Sequence, residues 1–474
     1  MNTIKVDIAI IGAGHGGYVA AIVAAKEGKT VALIEKDKLG GTCTNYGCIP
    51  TKAMLSSVSV MEEVENAKRI GLNVEKVELN FSDVVKHRNR AVNTSRKGIE
   101  LLLQKANVNL IAGMGFISDH KTIIVKDNDN NHIANVIYDK LIIATGSTPV
   151  KFPPFNIDNI WTSDDIWNIE KLPASLGIIG GGVIGCEFAT FFARAGVNVT
   201  IIELMPQLIP TEDEDIAKEL LDGLKRNKNL NVYCSAKVIE CKKVENQDEN
   251  SFIIKVQMQD GTMKEFGFEK ILLSVGRKPV LPEGLDKIGV KFNERGFIEI
   301  NEYMQTSNQD VYAIGDVTGK LMLAHTASKQ GEIAVQNILN QMGGGKKHTI
   351  RYSDIPSVIF TIPEIASVGL KEKDCKKMGI EYKVGICPFI SNGKARAMGL
   401  SKGFAKVITE AKTHKILGIS IIGSHATDMI MEGVAAVSRG LTVEDLFDLV
   451  HPHPTLTEII IEAALASIDK AIHL

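Results

Sequence analysis

Cysteine is scarce in this chain: seven occur in 474 residues, at Cys43, Cys48, Cys186, Cys234, Cys241, Cys375 and Cys387. An odd, thinly spread set is unlike a secreted disulfide framework. It fits a cytoplasmic chain in which one close pair does redox or metal chemistry. Excess charge of one sign is also lacking. Lys+Arg is 54 and Asp+Glu is 56, a formal net charge of -2. With no long basic run, this balance excludes an electrostatic nucleic-acid binder. No stretch of about 20 apolar residues is present to span a membrane. No secretory leader is expected at the start either, because the apolar run 8–11 gives way at once to Gly12, Gly14, Gly16 and Gly17. Apolar residues, by contrast, are plentiful at 45%. That is enough for sizeable cores and argues against disorder. The length suggests about three domains of roughly 150 residues each.

A buried-type strand is expected over 4–11, followed by Gly12-x-Gly14-x-x-Gly17, a helix over 18–28 and a second strand over 30–34 that ends at Glu35. This is a βαβ dinucleotide unit. Its glycines allow a tight turn and let backbone approach a pyrophosphate, which then meets the free N–H groups at the helix start. Glu35 is placed to accept hydrogen bonds from a ribose diol. The pattern repeats: a strand over 176–179, Gly180-x-Gly182-x-x-Gly185, a helix over about 183–195, and a strand over 198–202 ending at Glu203. One such turn is weak evidence, whereas two complete units argue for two dinucleotide sites. An acid at the second strand end binds a free 2′-OH and repels a 2′-phosphate, so Glu203 favours NAD over NADP. Segments 140–144 and 270–274 read as closing strands that lead into the glycine turns Thr145-Gly146 and Gly276-Arg277. Residues 310–316 form a further strand ending in Gly315-Asp316. From about residue 351 the pattern changes to short strands (404–409, 416–422) and two late helices, a third domain without a dinucleotide turn.

Cys43 and Cys48 lie soon after the first glycine turn. A thiol pair beside a bound cofactor suits the movement of two electrons between a disulfide and that cofactor. Five positions apart, the two would not face each other on a regular helix, but a distorted helix would bring them into disulfide geometry. Two buried free thiols, or a zinc site with His451 and His453, are the competing readings; the second lacks Cys-x-x-Cys pairing. The other five cysteines read as packed thiols.

Several motifs bring a family into view: Gly41-Thr42-Cys43 through Cys48-Ile49-Pro50-Thr51-Lys52, Ala144-Thr145-Gly146, the second glycine unit, Tyr312-Ala313-Ile314-Gly315-Asp316, and His451-Pro452-His453-Pro454-Thr455-Leu456-Thr457-Glu458. Over essentially its whole length the chain resembles the flavin-dependent pyridine-nucleotide disulfide oxidoreductases, and within them the branch that oxidises dihydrolipoamide. Ile49-Pro50-Thr51-Lys52, the cysteine-free C-terminal end and Glu203 favour that branch over the glutathione, mercuric and NADPH-dependent reductases. Thr44, Tyr46, Pro452 and Thr457 depart from the usual Leu, Val, Ala and Ser.

The resemblance implies an α/β fold: two Rossmann-like dinucleotide-binding domains and a C-terminal α+β dimerisation domain. The expected division is FAD-binding 1–149, NAD-binding 150–276, a central segment 277–348 completing the FAD site, and an interface domain 349–474. Cys48 is expected against the flavin and Cys43 toward the substrate. His453 is the expected acid/base, oriented by Glu458 and acting in the neighbouring subunit's site, while His451 reads as structural. Lys52 and Glu187 are expected to pair beside the flavin. The FAD contacts implied are Gly12, Gly14, Gly17, Glu35, Gly41, Thr42, Lys52, Gly115, Thr145, Gly146, Asp316 and Ala324. Those for NAD are Gly180, Gly182, Ile184, Gly185, Glu203, Val238 and Gly276. No metal is expected. The partners implied are a second copy of the chain and a lipoyl-bearing acyltransferase or glycine-cleavage carrier protein, with no nucleic acid and no membrane. A dinucleotide fold beginning almost at Met1 would leave the lipoyl group to another protein. The competing activities are reduction of another disulfide from NADH, and a structural subunit without catalysis.

Overall fold

A computed structural model describes residues 2–244 and 251–474; no candidate site residue falls outside them. The chain forms two compact units. The first is assembled from Met1–Ala53, Val85–Val150 and Gly276–Ile350, and the second from Met54–Val84, Lys151–Val275 and Arg351–Leu474.

In the first unit Asn2–Ile11 is the central strand of a seven-stranded sheet, with Val31–Glu35 and then Asn109–Ala112 parallel on one side and His132–Ile143 parallel on the other. The run Ile8 to Ile11 is almost wholly buried, as a parallel strand covered on both faces requires. Its side chains alternate between two cores. Ile8 and Ile10 pack with Ala20, Ala24, Ile333 and Ile338, while Ala9 and Ile11 pack with Ile117, Val125 and Leu141. His132–Ile143 forks: its first half pairs antiparallel with Thr122–Lys126, and its last three residues pair parallel with Val311–Ala313. The expected strand over 140–144 is thus the end of a longer one.

The second unit holds three sheets. Five parallel strands run in the order Leu230–Tyr233, Asn198–Ile202, Ser175–Ile179, Lys270–Leu273, Trp161–Thr162. A three-stranded antiparallel meander lies in sequence between Leu230–Tyr233 and Lys270–Leu273, and residues 357–423 form a five-stranded antiparallel sheet. The helices Ala426–Arg439 and Glu458–Ala466 cover that last sheet, burying Met429, Ile430, Ile460 and Ala463 against Val407, Ile419 and Ile421. Parallel βαβ units with an antiparallel C-terminal layer make this the mixed α/β fold expected. No helix among the described residues is long and apolar enough to cross a membrane.

Candidate active site

The helix His15–Lys26 starts from Gly14 with no side-chain cap, and Val183–Arg194 starts from Gly182 in the same way. The first N–H groups of both helices are therefore available to an anion. A Cβ on Gly17 would lie 1.8 Å from Gly12 O, and one on Gly185 would lie 2.0 Å from Gly180 O. Only glycine lets these helices sit so close to their strands. Around Gly182 the space is open to 4 Å, so each turn presents bare backbone, the surface a pyrophosphate needs.

The two acids are braced in the same way. Glu35 accepts the Ala13 N–H at 2.6 Å and the Asp37 N–H at 2.8 Å. Glu203 accepts the Gly181 N–H at 2.5 Å and the Met205 N–H at 2.6 Å. Each carboxylate is thereby fixed against its own glycine turn. It retains acceptor capacity for ribose hydroxyls and repels a 2′-phosphate. These residues fit a dinucleotide in both units.

Asp316 lies in the short turn Gly315–Thr318. Ser147 Oγ donates to its Oδ2 at 2.6 Å, and Arg277 Nε donates to Ser147 Oγ at 2.7 Å. Burial lifts the Asp316 carboxyl above its ordinary range, while the Ser147 hydroxyl and the Arg277 charge work against that rise. The Gly315 N–H donates to Gln330 Oε1 at 2.6 Å. Ser147, Arg277 and Gln330 were not among the sequence candidates. Ser147 adjoins Thr145-Gly146 and Arg277 adjoins Gly276, which are the available signals; Gln330 lies in the helix Ala324–Gly343. Thr145 Oγ1 donates to Val280 O at 2.5 Å. Gly146 (φ +73°) and Gly276 (φ +126°) are left-handed with open space at the Cβ position. Ala324 begins the helix Ala324–Gly343, and Ile184 is the second residue of Val183–Arg194. Gly115 and Val238 are on edge strands of their sheets, paired with Val125 and Val256. Neither has a polar side chain, so each can meet a cofactor only through backbone or apolar contact.

The cysteine segment is laid directly on the first glycine turn. The Gly40 N–H donates to Ala13 O at 2.8 Å, and a Cβ on Gly41 (φ +57°) would come within 2.8 Å of Gly14 Cα. A short helix, Gly41–Tyr46, carries Thr42 and Cys43; its Asn45 Nδ2 donates to Leu39 O and Gly41 O, both at 2.9 Å. Gly47 (φ −144°, ψ −111°) then breaks it, and Cys48 opens the 19-residue helix Cys48–Asn66. Thr51 returns its N–H and Oγ1 to Gly47 O at 3.0 and 2.7 Å. Pro50 needs no donor in that first turn. This break is the distortion the five-residue spacing demanded. No disulfide joins the two cysteines in this structure. The hydrogen bond with Cys48, followed by burial, pushes the Cys43 thiol far above its ordinary range, with Lys52 opposing by less. Lys52 lies one helical turn beyond Cys48. The departures at 44 and 46 are absorbed locally: Thr44 is buried, and Tyr46 OH donates to Asp37 Oδ2 at 2.7 Å.

In the second unit His453 Nδ1 meets Glu458 Oε1 at 2.7 Å, and the Thr455 N–H donates to Glu458 Oε2 at 2.8 Å. The carboxylate only accepts, so Nδ1 carries the proton and Nε2 is left for chemistry. The His453 side chain is 77% exposed. Burial alone would raise Glu458; the Thr455 N–H and His453 outweigh it and hold the carboxyl below its ordinary value. Both nitrogens of His451 are engaged, Nε2 with Glu432 Oε1 at 2.8 Å and Nδ1 with Leu449 O at 3.1 Å. Glu187 is buried and accepts the Phe360 N–H at 3.0 Å. Lys52 belongs to the first unit and Glu187 to the second. Among the described residues no group of three or more His, Cys, Asp or Glu side chains could hold a metal ion.

Two braced dinucleotide turns, with a cysteine pair docked on the first, define a disulfide oxidoreductase that works with pyridine nucleotide. Residues 6–331 match the model of the pyridine nucleotide-disulphide oxidoreductase family and residues 355–464 that of its dimerisation domain; the chain belongs to this family. Among its relatives, the dihydrolipoyl dehydrogenase of Chlamydia trachomatis serovar D is 39% identical, over 99% of this chain and 98% of that protein. The dihydrolipoyl dehydrogenase of Bacillus subtilis is also 39% identical, over 98% of this chain and 99% of the other. The solved structure of LpdA from Mycobacterium tuberculosis superposes with a TM-score of 0.86 at 25% identity, covering 97% of this chain and 99% of that one. The HOCl-induced flavoprotein disulfide reductase RclA from Escherichia coli gives 0.82 at 27% identity, covering 97% and 99%.

Proposed function

We propose that this chain is a dihydrolipoyl dehydrogenase, oxidising protein-bound dihydrolipoamide to lipoamide with FAD and NAD+. The observation that carries this reading is the Cys43–Cys48 pair, folded together by the Gly47 break on the backbone of the first dinucleotide turn. In the oxidised enzyme the pair is a disulfide. His453 Nε2 takes a proton from one substrate thiol, and the resulting thiolate attacks Cys43 Sγ. The Cys43–Cys48 bond breaks, leaving a substrate–Cys43 mixed disulfide and a Cys48 thiolate. The second substrate thiol then attacks the first substrate sulfur and closes the lipoamide ring, its proton passing to His453 once the first has gone to Cys43. Cys43 leaves with the electron pair and takes the proton back from His453. Glu458 stabilises the imidazolium between these two transfers. The helix start and Lys52 favour the negative charge on Cys48. FAD, held by Gly12, Gly14, Gly17, Glu35 and Asp316, supplies the route by which the two electrons reach NAD+. Glu203 and the turn Gly180–Gly185 hold that second nucleotide.

By function the chain divides into FAD-binding 1–149, NAD-binding 150–276, a segment 277–348 that completes the flavin site, and an interface domain 349–474. Two copies pair through the last of these, so that His453 of each serves the cysteines of the other. The lipoyl donor is an acyltransferase or a glycine-cleavage carrier protein. We place the enzyme in the cytoplasm, where the buried thiols of Cys186, Cys241, Cys375 and Cys387 stay reduced. The test is stopped-flow reduction of the yellow holoenzyme by dihydrolipoamide, followed by NAD+. Rapid long-wavelength absorbance and then NADH are expected. Reduction by NADH but not by dihydrolipoamide would reassign the enzyme to another disulfide.

A further inference from the structure

After Glu203 the chain runs through residues 204–213 before the helix Glu214–Leu224. This loop is fastened at two ends. At the near end the Ile209 N–H donates to Gly181 O at 2.8 Å, and the Met205 N–H donates to the Glu203 carboxylate. The loop is therefore tied to both parts of the second dinucleotide turn. Ile209 is fully buried at φ +41°. A β-branched residue avoids that region, so the surrounding structure must hold it there.

At the far end the loop meets three lysines: Lys371 and Lys373 at the start of the helix Glu372–Met378, and Lys406 on the sheet strand Phe404–Glu410. Lys371 Nζ bonds Glu212 Oε2 at 2.6 Å, and Ser367 Oγ donates to Glu212 Oε1 at 3.0 Å. Lys373 Nζ donates to Pro210 O at 2.8 Å and Thr211 O at 2.7 Å. Lys406, only 1% exposed, meets Glu372 Oε1 at 2.5 Å, Asp215 Oδ2 at 2.8 Å and Asp213 Oδ2 at 3.1 Å. Asp213 is also the residue at which the next helix starts. Buried charges lose much of their attraction to desolvation and are a weak source of net stability, but they fix register and position where geometry matters. The side-chain hydrogen bonds of these lysines run to residues 210–215, Glu372 and Ser420.

We propose that Lys371, Lys373 and Lys406 form a positioning clamp for the NAD site, holding loop 204–213 so that Glu203 and Gly181 keep their nucleotide-binding geometry. The inference rests on the reading of the second turn as the NAD site. The clamp sets the affinity for NAD+ and its preference over NADP+, and has no part in dithiol exchange.

The test compares wild-type holoenzyme with Lys406→Met, Lys373→Ala and Lys373→Arg. Three quantities are read: the KM for NAD+ at saturating dihydrolipoamide, the NAD+/NADP+ preference, and the rate of flavin reduction by dihydrolipoamide. Lys406→Met is expected to raise the NAD+ KM about tenfold or more, with flavin reduction by dihydrolipoamide unchanged. Lys373→Ala, whose side chain is exposed, should shift the KM in the same direction by a few-fold, and Lys373→Arg should restore it. If Lys406→Met fails to fold, the Lys373 pair decides. An unchanged NAD+ KM in Lys373→Ala overturns the clamp, as does an equal loss in both half-reactions. A wild-type enzyme that transfers nothing to NAD+ would instead remove the NAD reading on which the clamp depends.

Discussion

The hydrogen bond from His453 Nδ1 to Glu458 decides what that ring can do. It fixes the tautomer and leaves Nε2 as the one nitrogen able to exchange a proton with a thiol. His453→Gln keeps a polar side chain but removes the base. It should slow dihydrolipoamide-driven flavin reduction by roughly a hundred- to ten-thousand-fold, while NADH-driven flavin reduction continues at the wild-type rate. Equal loss in both directions would make the residue structural. Glu458 also carries a pH signature. Its carboxyl is held below the ordinary value of 4.5. A depressed carboxyl contributes stability that is present above the unfolded value and lost as pH falls through the folded one. The Tm gap between wild type and Glu458→Gln should therefore be widest near neutrality and shrink below about pH 4.5. A gap that does not change with pH would show that Glu458 contributes through packing alone.

Elements were read unevenly from sequence, for physical reasons. The two glycine turns were legible because their chemistry is local: strand, turn, helix and terminal acid fall within one short window. The cysteine spacing demanded a bent helix, and Gly47 and Pro50 were the residues that supplied it. The braces were harder to see. Ser147 meets Asp316 across 169 positions, and Arg277 meets Ser147 across 130; no periodicity marks such a contact. The same holds for Lys371 and Lys406, whose partners lie 159 and 193 positions away. The matched glycine contacts yield a paired prediction. Ala at position 17 or 185 would drive a methyl into the carbonyl of Gly12 or Gly180, at a cost of about 1–3 kcal/mol at the turn. Gly17→Ala should purify with reduced flavin content. Gly185→Ala should stay yellow and accept electrons from dihydrolipoamide, yet need much more NAD+ to turn over. If both variants lose flavin equally, the second turn is not a separate nucleotide site.

At the scale of the whole molecule, an exposed His453 and a cysteine pair placed in different units of the chain acquire a joint meaning in a dimer. Cys48→Ser and His453→Gln homodimers should each be nearly inactive. In a heterodimer of the two, one site carries both defects and the other carries neither. Randomly reassociated mixtures should regain about a quarter of wild-type activity, half the dimers having one good site of two. No recovery, with heterodimers shown by native mass spectrometry, would place His453 and the cysteines of one chain in the same site.

The forked strand His132–Ile143 has a consequence for how the protein is made. Its parallel neighbour Val311–Ala313 leaves the ribosome only after roughly 170 further residues, or about ten to thirty seconds at ~5–20 residues per second. Through that interval the first sheet has an unpaired edge, the kind of surface that recruits foreign strands, while residues 151–275 are still emerging. Synthesis of this chain thus contains a waiting period whose length is set by translation speed, during which a nascent sheet depends on shielding from its neighbours.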